Sequence, residues 1–472
     1  MRYINRFLFG IAMVASMAGS VASHAADDTN QASLVAQGKY IAIASDCAAC
    51  HTMKSGKPFA GGLGIVSPVG TIYASNISPS TRYGIGNYTE AQFADAVRKG
   101  IRRDGANLYP AMPYTSYAVL TDQDIHALYA YFLHGVAPVD EATPATNLPF
   151  PMNIRLSMKG WNMLFLSGKT MVNDPSKSVE WNRGRYLVEG PAHCSTCHTP
   201  RGFLMQEEKN KEFSGGLVGA WYAPNITSDP ISGIGSWSQT DLPNYLHSGH
   251  LRGKAQAAGS MGEAVEHSFQ YLSDADLNAI AIYIKGIPAV RDSGDKASRF
   301  DQGNAGSDIA NFRGMKFDDT NAGNASGAQL FQGNCASCHS PEAQGSKDGY
   351  YPSLFHNSVI GSSNPNNLIA TILNGVNRTT AEGQAYMPGF GGKPDDLNSL
   401  SNEQIASLAN YVLSTYGQPG TEVRPTQVEV IRQGGPTSNL VALARAGMIG
   451  GAIVLMLIII LLIRRKSRFK IF

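Results

Sequence analysis

The six cysteines of this 472-residue sequence fall into one pattern used three times: Cys47-Ala48-Ala49-Cys50-His51, Cys194-Ser195-Thr196-Cys197-His198 and Cys335-Ala336-Ser337-Cys338-His339. Two thiols three positions apart, followed at once by an imidazole, suit one piece of chemistry: the thiols add to the two vinyl groups of a porphyrin and the histidine reaches its iron. A zinc site would pair one C-x-x-C with another inside a single domain, and a thioredoxin-like redox site does not call for a histidine after the pair. Three copies that use every cysteine favour covalent c-type haem, three per chain, and leave no thiol for a structural disulfide. The expected attachment residues are Cys47, Cys50, Cys194, Cys197, Cys335 and Cys338, with His51, His198 and His339 as iron ligands.

An iron that only passes electrons is best served by a second protein ligand, and methionine sulfur opposite histidine raises the reduction potential. Met112 lies in Tyr109-Pro110-Ala111-Met112-Pro113-Tyr114 and Met387 in Ala385-Tyr386-Met387-Pro388-Gly389-Phe390. In both, the proline stiffens the loop that would present the sulfur. The middle segment has no Met-Pro; Met261, in Gly259-Ser260-Met261-Gly262-Glu263, lies at the equivalent distance after its motif, with His247, His250 and His267 as alternatives.

The elements that must position these residues repeat as well. Gly38-Lys39-Tyr40 and Gly184-Arg185-Tyr186 precede the first two motifs, and Gly327 with Phe331 precedes the third, so a short helix with an aromatic on its inner face is expected to lead into each motif. After each methionine comes a helix opened by an N-cap: Leu120-Thr121-Asp122 through Leu133, Leu272-Ser273-Asp274 through Ile284, and Leu400-Ser401-Asn402 through Leu413. Tyr131, Tyr283 and Tyr411 fall at one matching position. First helix, motif, long loop, methionine and last helix is the order of a class I cytochrome c domain. The first two segments share more: Asn76-Ile77-Ser78-Pro79 then Gly84-Ile85-Gly86 matches Asn225-Ile226-Thr227 then Gly233-Ile234-Gly235, while the third has Tyr350-Tyr351-Pro352-Ser353-Leu354. A duplication of the first two is the natural reading.

The expected fold is therefore mainly α, with three tandem class I cytochrome c domains and one C-terminal transmembrane helix. The boundaries read as a signal peptide over 1–25, domain one over 26–137, a linker over 138–180, domain two over 181–290 and a linker over 291–322. Domain three follows over 323–417, then a linker over 418–446, an anchor over 447–463 and a cytoplasmic tail over 464–472. Arg2 and Arg6, an apolar run and small residues up to Ala25 make the signal peptide. The run from Gly447 to Ile463 is uncharged and ends in Arg464, Arg465, Lys466, Arg468 and Lys470; at about 1.5 Å per residue it and its flanks span a bilayer core of about 30 Å. Positive charge favours the inside, which places the rest on the periplasmic face of the bacterial inner membrane. Within the first linker, Met158, Trp161, Met163, Leu164, Phe165 and Leu166 form an apolar patch expected to pack between domains, rather than dock a partner or lie on the membrane. The linker from Arg291 reads as flexible and the stretch Gln418 to Asn439 as a polar spacer. A net charge of +2, from 38 basic and 36 acidic residues, offers no field for nucleic acid.

Taken with Ser346 through Leu354 and Gly233-Ile234-Gly235-Ser236-Trp237-Ser238, these motifs resemble the membrane-bound trihaem cytochrome c subunits of periplasmic sugar, polyol and alcohol dehydrogenases. The stretch 346–354 and the C-terminal anchor look most similar to the cytochrome subunits of fructose, gluconate and sorbitol dehydrogenases, whose FAD sits in a separate large subunit. The resemblance implies a non-catalytic electron relay from that large subunit to ubiquinone in the inner membrane, with a small chaperone-like subunit as a further partner. A PQQ-dependent alcohol dehydrogenase is the alternative partner. A haem enzyme with an open iron site is the reading from another class, and it needs acid–base residues beside the iron that the sequence does not display.

Overall fold

A computed structural model describes residues 30–312 and 325–468. The expected signal peptide and its cleavage site, the stretch 313–324 and the last residues of the tail lie outside the described residues. Helices dominate, joined by loops and, among the described residues, four two-stranded antiparallel hairpins. Buried apolar side chains gather into three cores, one around each motif.

Each core is built where a first helix crosses a last helix. The first helices cover 30–44, Val179–Glu189 and Gly327–Asn334; the last cover Asp122–Ala130, Asp274–Lys285 and Asn402–Tyr416. The side chains of Thr121, Ser273 and Ser401 accept the N3 backbone N–H of the last helices, as their sequence positions predict. Gly38, Gly184 and Gly327 mark the crossings. A Cβ on them would lie 1.9, 1.9 and 2.2 Å from the carbonyl oxygens of Ala127, Ala279 and Ser407, and under 3 Å from the Cβ of Tyr131, Tyr283 and Tyr411. The matched glycines and tyrosines are thus two halves of one contact, in which the missing side chain lets the backbones touch.

Several expectations change. In the first unit the α-helix stops at Ala130 and a π-helical turn, Tyr131–Gly135, follows, whose Tyr131 and Phe132 rings both pack on Phe59. In the third unit the aromatic of the first helix, Phe331, is fully buried in its own core, whereas Tyr186 belongs to the first unit's core and Tyr40 packs against both the first and the second. The first part of the linker after Arg291 is anchored: Arg291 pairs with Asp229 at 2.8 Å, and Arg299 and Phe300 are buried in the second unit. The polar spacer contains a helix, Pro425–Arg432, that buries Val428 and Ile431 against the third core, where Val423 joins them. Helix Ser157–Phe165 does join two units, Asn162 accepting from Tyr114 and Trp161 donating to the Leu204 carbonyl, but Met163 and Leu164 face solvent. Finally, Leu440–Arg468 is one helix, long and apolar enough over 440–464 to cross a membrane and not buried against the rest.

Candidate functional site

Each motif begins where a first helix ends. Asp46 and His193, just before the first two motifs, take left-handed backbone (φ 50° and 38°), which turns the chain back so that a short helix can present the two thiols on one side. All six cysteines are free. Burial pushes the thiols of Cys47, Cys194 and Cys335 up to about 12, and burial with Asp46, Glu263 and Cys197 pushes Cys50 up to about 11. Burial thus favours the neutral thiol at these four positions. Among the described residues no three His, Cys, Asp or Glu side chains gather as a metal cluster.

The histidines are oriented alike. Nδ1 of His51, His198 and His339 lies 2.6, 2.6 and 2.9 Å from the carbonyl oxygens of Ser75, Pro224 and Pro352. A carbonyl only accepts, so Nδ1 carries the proton and Nε2 keeps its lone pair for iron. Burial lowers all three imidazoles, His198 to about 4, which keeps them neutral and able to coordinate. The backbone carbonyls of the same histidines accept from Gly61, Gly215 and Gly345, all at positive φ (70°, 101° and 72°). A Cβ on Gly61 would sit 2.4 Å from Ser75, so glycine is required where the acceptor strand passes the motif.

What holds the acceptor carbonyls in place explains the duplicated Asn-Ile-Ser/Thr stretches. Asn76, next to Ser75, donates to Val139 O at 2.8 Å and accepts from the Ser78 N–H and hydroxyl; Asn225, next to Pro224, donates to Val290 O at 2.7 Å and accepts from the Thr227 N–H and hydroxyl. Buried Arg299 adds a bond to Asn225 O at 2.9 Å. The third unit holds Pro352 by its following loop instead, where Asn357 donates to Ser353 O at 3.2 Å. The recurrence of the Asn-Ile-Ser/Thr stretch at similar distances after His51 and His198 is the signal in the sequence for this task.

Each methionine shares a core with a cysteine of its motif. Met112 and Cys47 pack on the first core, Met261 and Cys194 on the second, Met387 and Cys335 on the third. Met261 sits in the first turn of helix Gly259–His267 and Met387 ends the hairpin Val376–Thr380/Gly383–Met387, paired with Val376. One apolar cavity is walled by His198, Met261, His339 and Met387 together with the four cysteines of those two motifs. His247, His250 and His267 do not line it, so geometry favours Met261 over all three. The residues fit a covalent haem: neutral thiols, an imidazole with its lone pair free, a thioether on the same core and apolar walls.

This arrangement of thiols, imidazole and thioether between crossed helices defines a c-type cytochrome, and the cytochrome c family model matches residues 35–135 and 324–416. The chain is 47% identical to the fructose dehydrogenase cytochrome subunit of Gluconobacter japonicus, over 92% of each chain. It is 39% identical to the cytochrome c subunit of the quinone alcohol dehydrogenase of Gluconacetobacter polyoxogenes, again over 92% of each, and 38% identical to the gluconate 2-dehydrogenase cytochrome c subunit of Pantoea cypripedii, over 83% of this chain and 88% of that one. The chain belongs to the family of cytochrome c subunits of sugar and alcohol dehydrogenases, and its role is electron transfer.

Proposed function

We propose that the chain carries three covalent c-type haems in three tandem class I cytochrome c domains and relays electrons from a flavin-dependent sugar or polyol dehydrogenase subunit to membrane ubiquinone. His51, His198 and His339 are the proximal ligands and Met112, Met261 and Met387 the sixth. A bound c-type haem supplies reversible one-electron exchange at its iron. The protein's share is to fix the imidazole, close the other axial position and exclude water. The observation that carries the reading is the threefold recurrence of one construction: a thiol pair on a short turn, an imidazole Nδ1 bonded to a backbone carbonyl, and a methionine on the same core. Its presence between the two matched segments supports a cytochrome domain there as well. The C-terminal helix with its basic end holds the chain to the periplasmic face of the inner membrane. Higher identity with the fructose relative than with the alcohol relatives supports a flavin-bearing partner, and a small chaperone-like subunit completes the complex.

Purification of the complex from membranes tests this at three points. A pyridine haemochrome assay is expected to give three haems per chain, the large subunit to release FAD, and addition of sugar to reduce a ubiquinone analogue. Release of PQQ would replace the partner; fewer than three haems, or a ferric high-spin iron that binds cyanide readily, would overturn the relay itself.

A further inference from the structure

The duplicated residues of the first two units meet each other. Tyr40, two positions after the crossing Gly38, donates its hydroxyl to Asp276 Oδ2 at 2.6 Å and accepts from the Ser273 backbone N–H at 3.1 Å. Tyr186, two positions after Gly184, donates to Asp124 Oδ2 and accepts from the Thr121 backbone N–H at 3.3 Å. Thr121 and Ser273 are the two N-caps, and Asp124 and Asp276 the N3 residues of the two last helices. The other oxygen of each carboxylate is held within its own unit, by Gln37 Nε2 at 3.2 Å and by Arg183 Nε at 2.7 Å, and these donors again occupy matching places before the glycines. An interface in which residue i meets j while j meets i is isologous, with an approximate twofold axis. The third unit is outside this relation: Gln329 stands at the tyrosine position and serves its own helix cap.

The contact ties the two haem sites together. Tyr186 is buried in the first core, and Ala44, at the end of the first helix before the first motif, is fully buried in the second. The helix Gly259–His267, which carries Met261, packs on the Cys47–His51 turn. One hydrogen bond would leave the units free to rotate about it, whereas two on either side of an axis fix both distance and angle. Both involve a carboxylate, the stronger class of hydrogen bond.

We propose that Tyr40 with Asp276 and Tyr186 with Asp124 form a duplicated clamp whose task is to set the separation and relative orientation of the first and second haems, so that these two exchange electrons as a fixed pair. In each exchange one iron is oxidised as the other is reduced, by one electron. The four side chains are positioning residues, and the proposal rests on the reading that both motifs carry haem.

The test uses the full-length solubilised complex and the circular dichroism couplet that neighbouring haems produce in the Soret band, which depends on their distance and angle. Tyr40→Phe and Tyr186→Phe are combined, with Tyr411→Phe, a third-unit tyrosine outside this contact, as the control. The double variant is expected to retain three haems by pyridine haemochrome and lose at least half of the couplet amplitude, while the control keeps it. Three haems with an unchanged couplet would overturn the clamp; fewer than three in the parent would instead overturn the haem reading. If the double variant does not assemble, Asp124→Asn with Asp276→Asn replaces it, since the amide keeps the shape and weakens the bond. A reduced couplet there supports the clamp, and an unchanged one overturns it.

Discussion

Replacement of Asn225 by alanine should loosen the second haem site without touching haem. Its amide is buried and makes three bonds, to Val290 O at 2.7 Å and from the Thr227 N–H and hydroxyl at 2.9 and 2.7 Å. Alanine leaves two donors and one acceptor of buried groups without partners, each worth about 1–3 kcal/mol. Local relaxation recovers part of that, and a net loss of about 3 kcal/mol is expected. At roughly 4 °C per kcal/mol for a unit of this size, the midpoint of thermal unfolding followed in the Soret band should fall by about 12 °C. The neighbouring Pro224 carbonyl then drifts from His198 Nδ1, the imidazole becomes a poorer donor to iron, and one of the reduction potentials in an optical titration should rise. Asn225→Asp keeps the acceptor for Thr227 but sets a carboxylate oxygen against the Val290 carbonyl, so it should not restore the parent midpoint. A midpoint within about 2 °C of the parent with all potentials unmoved would refute the claim that this side chain holds the acceptor strand.

The helix crossing can be tested inside a single helix. Gly327→Ala forces its backbone more than an ångström away from Ser407 O and should cost about 2–3 kcal/mol, whereas Gly333→Ala, with open space around its Cβ, should be neutral or stabilising by up to about 1 kcal/mol in the same thermal assay. Met387→Ala and Met261→Ala should each convert one iron to a high-spin, cyanide-binding form seen in the visible spectrum, while His250→Ala should not. At Asp276, burial alone raises the carboxyl, but the bonds from Arg183 and Tyr40 outweigh it and hold the group below its ordinary value. Its stabilisation is thus complete above about pH 4, the ordinary carboxylate value, and is lost as the pH falls further through the depressed value. The difference in unfolding midpoint between parent and Asp276→Asn should therefore narrow below about pH 4; a difference that persists unchanged to pH 2 would count against the ionised pair.

How legible these features were depended on the range of the interaction that sets them. The C-x-x-C-H turns, the caps at Thr121, Ser273 and Ser401 and the Met-Pro pairs are chemistry at short fixed spacing, so residue types alone disclose them. Tyr40 and Tyr186 were visible as a repeat, but which way they face is decided by a partner more than two hundred residues away in one case and some sixty in the other. The hairpin that delivers Met387 was missed because Asn377, Arg378 and Thr379 through Gln384 are polar and carry no hydrophobic alternation; Arg378 is buried against the second unit instead. Arg299 and Phe300 disappeared for the same reason, a buried cation inside a Gly-, Asp- and Ser-rich run. The helix Pro425–Arg432 is two turns long, too short for a periodic pattern to rise above its polar neighbours.

The burial of Phe300 against Trp237, at 5.7 Å between rings, has a consequence for how the molecule is made. A ribosome delivers the chain from the N-terminus, and domains are completed in that order only when each owns all of its core. Here the first unit borrows Tyr186 from the second, and the second borrows Arg299 and Phe300 from the segment that leads to the third. The first two cores are therefore complete only once part of the segment that follows each of them is present.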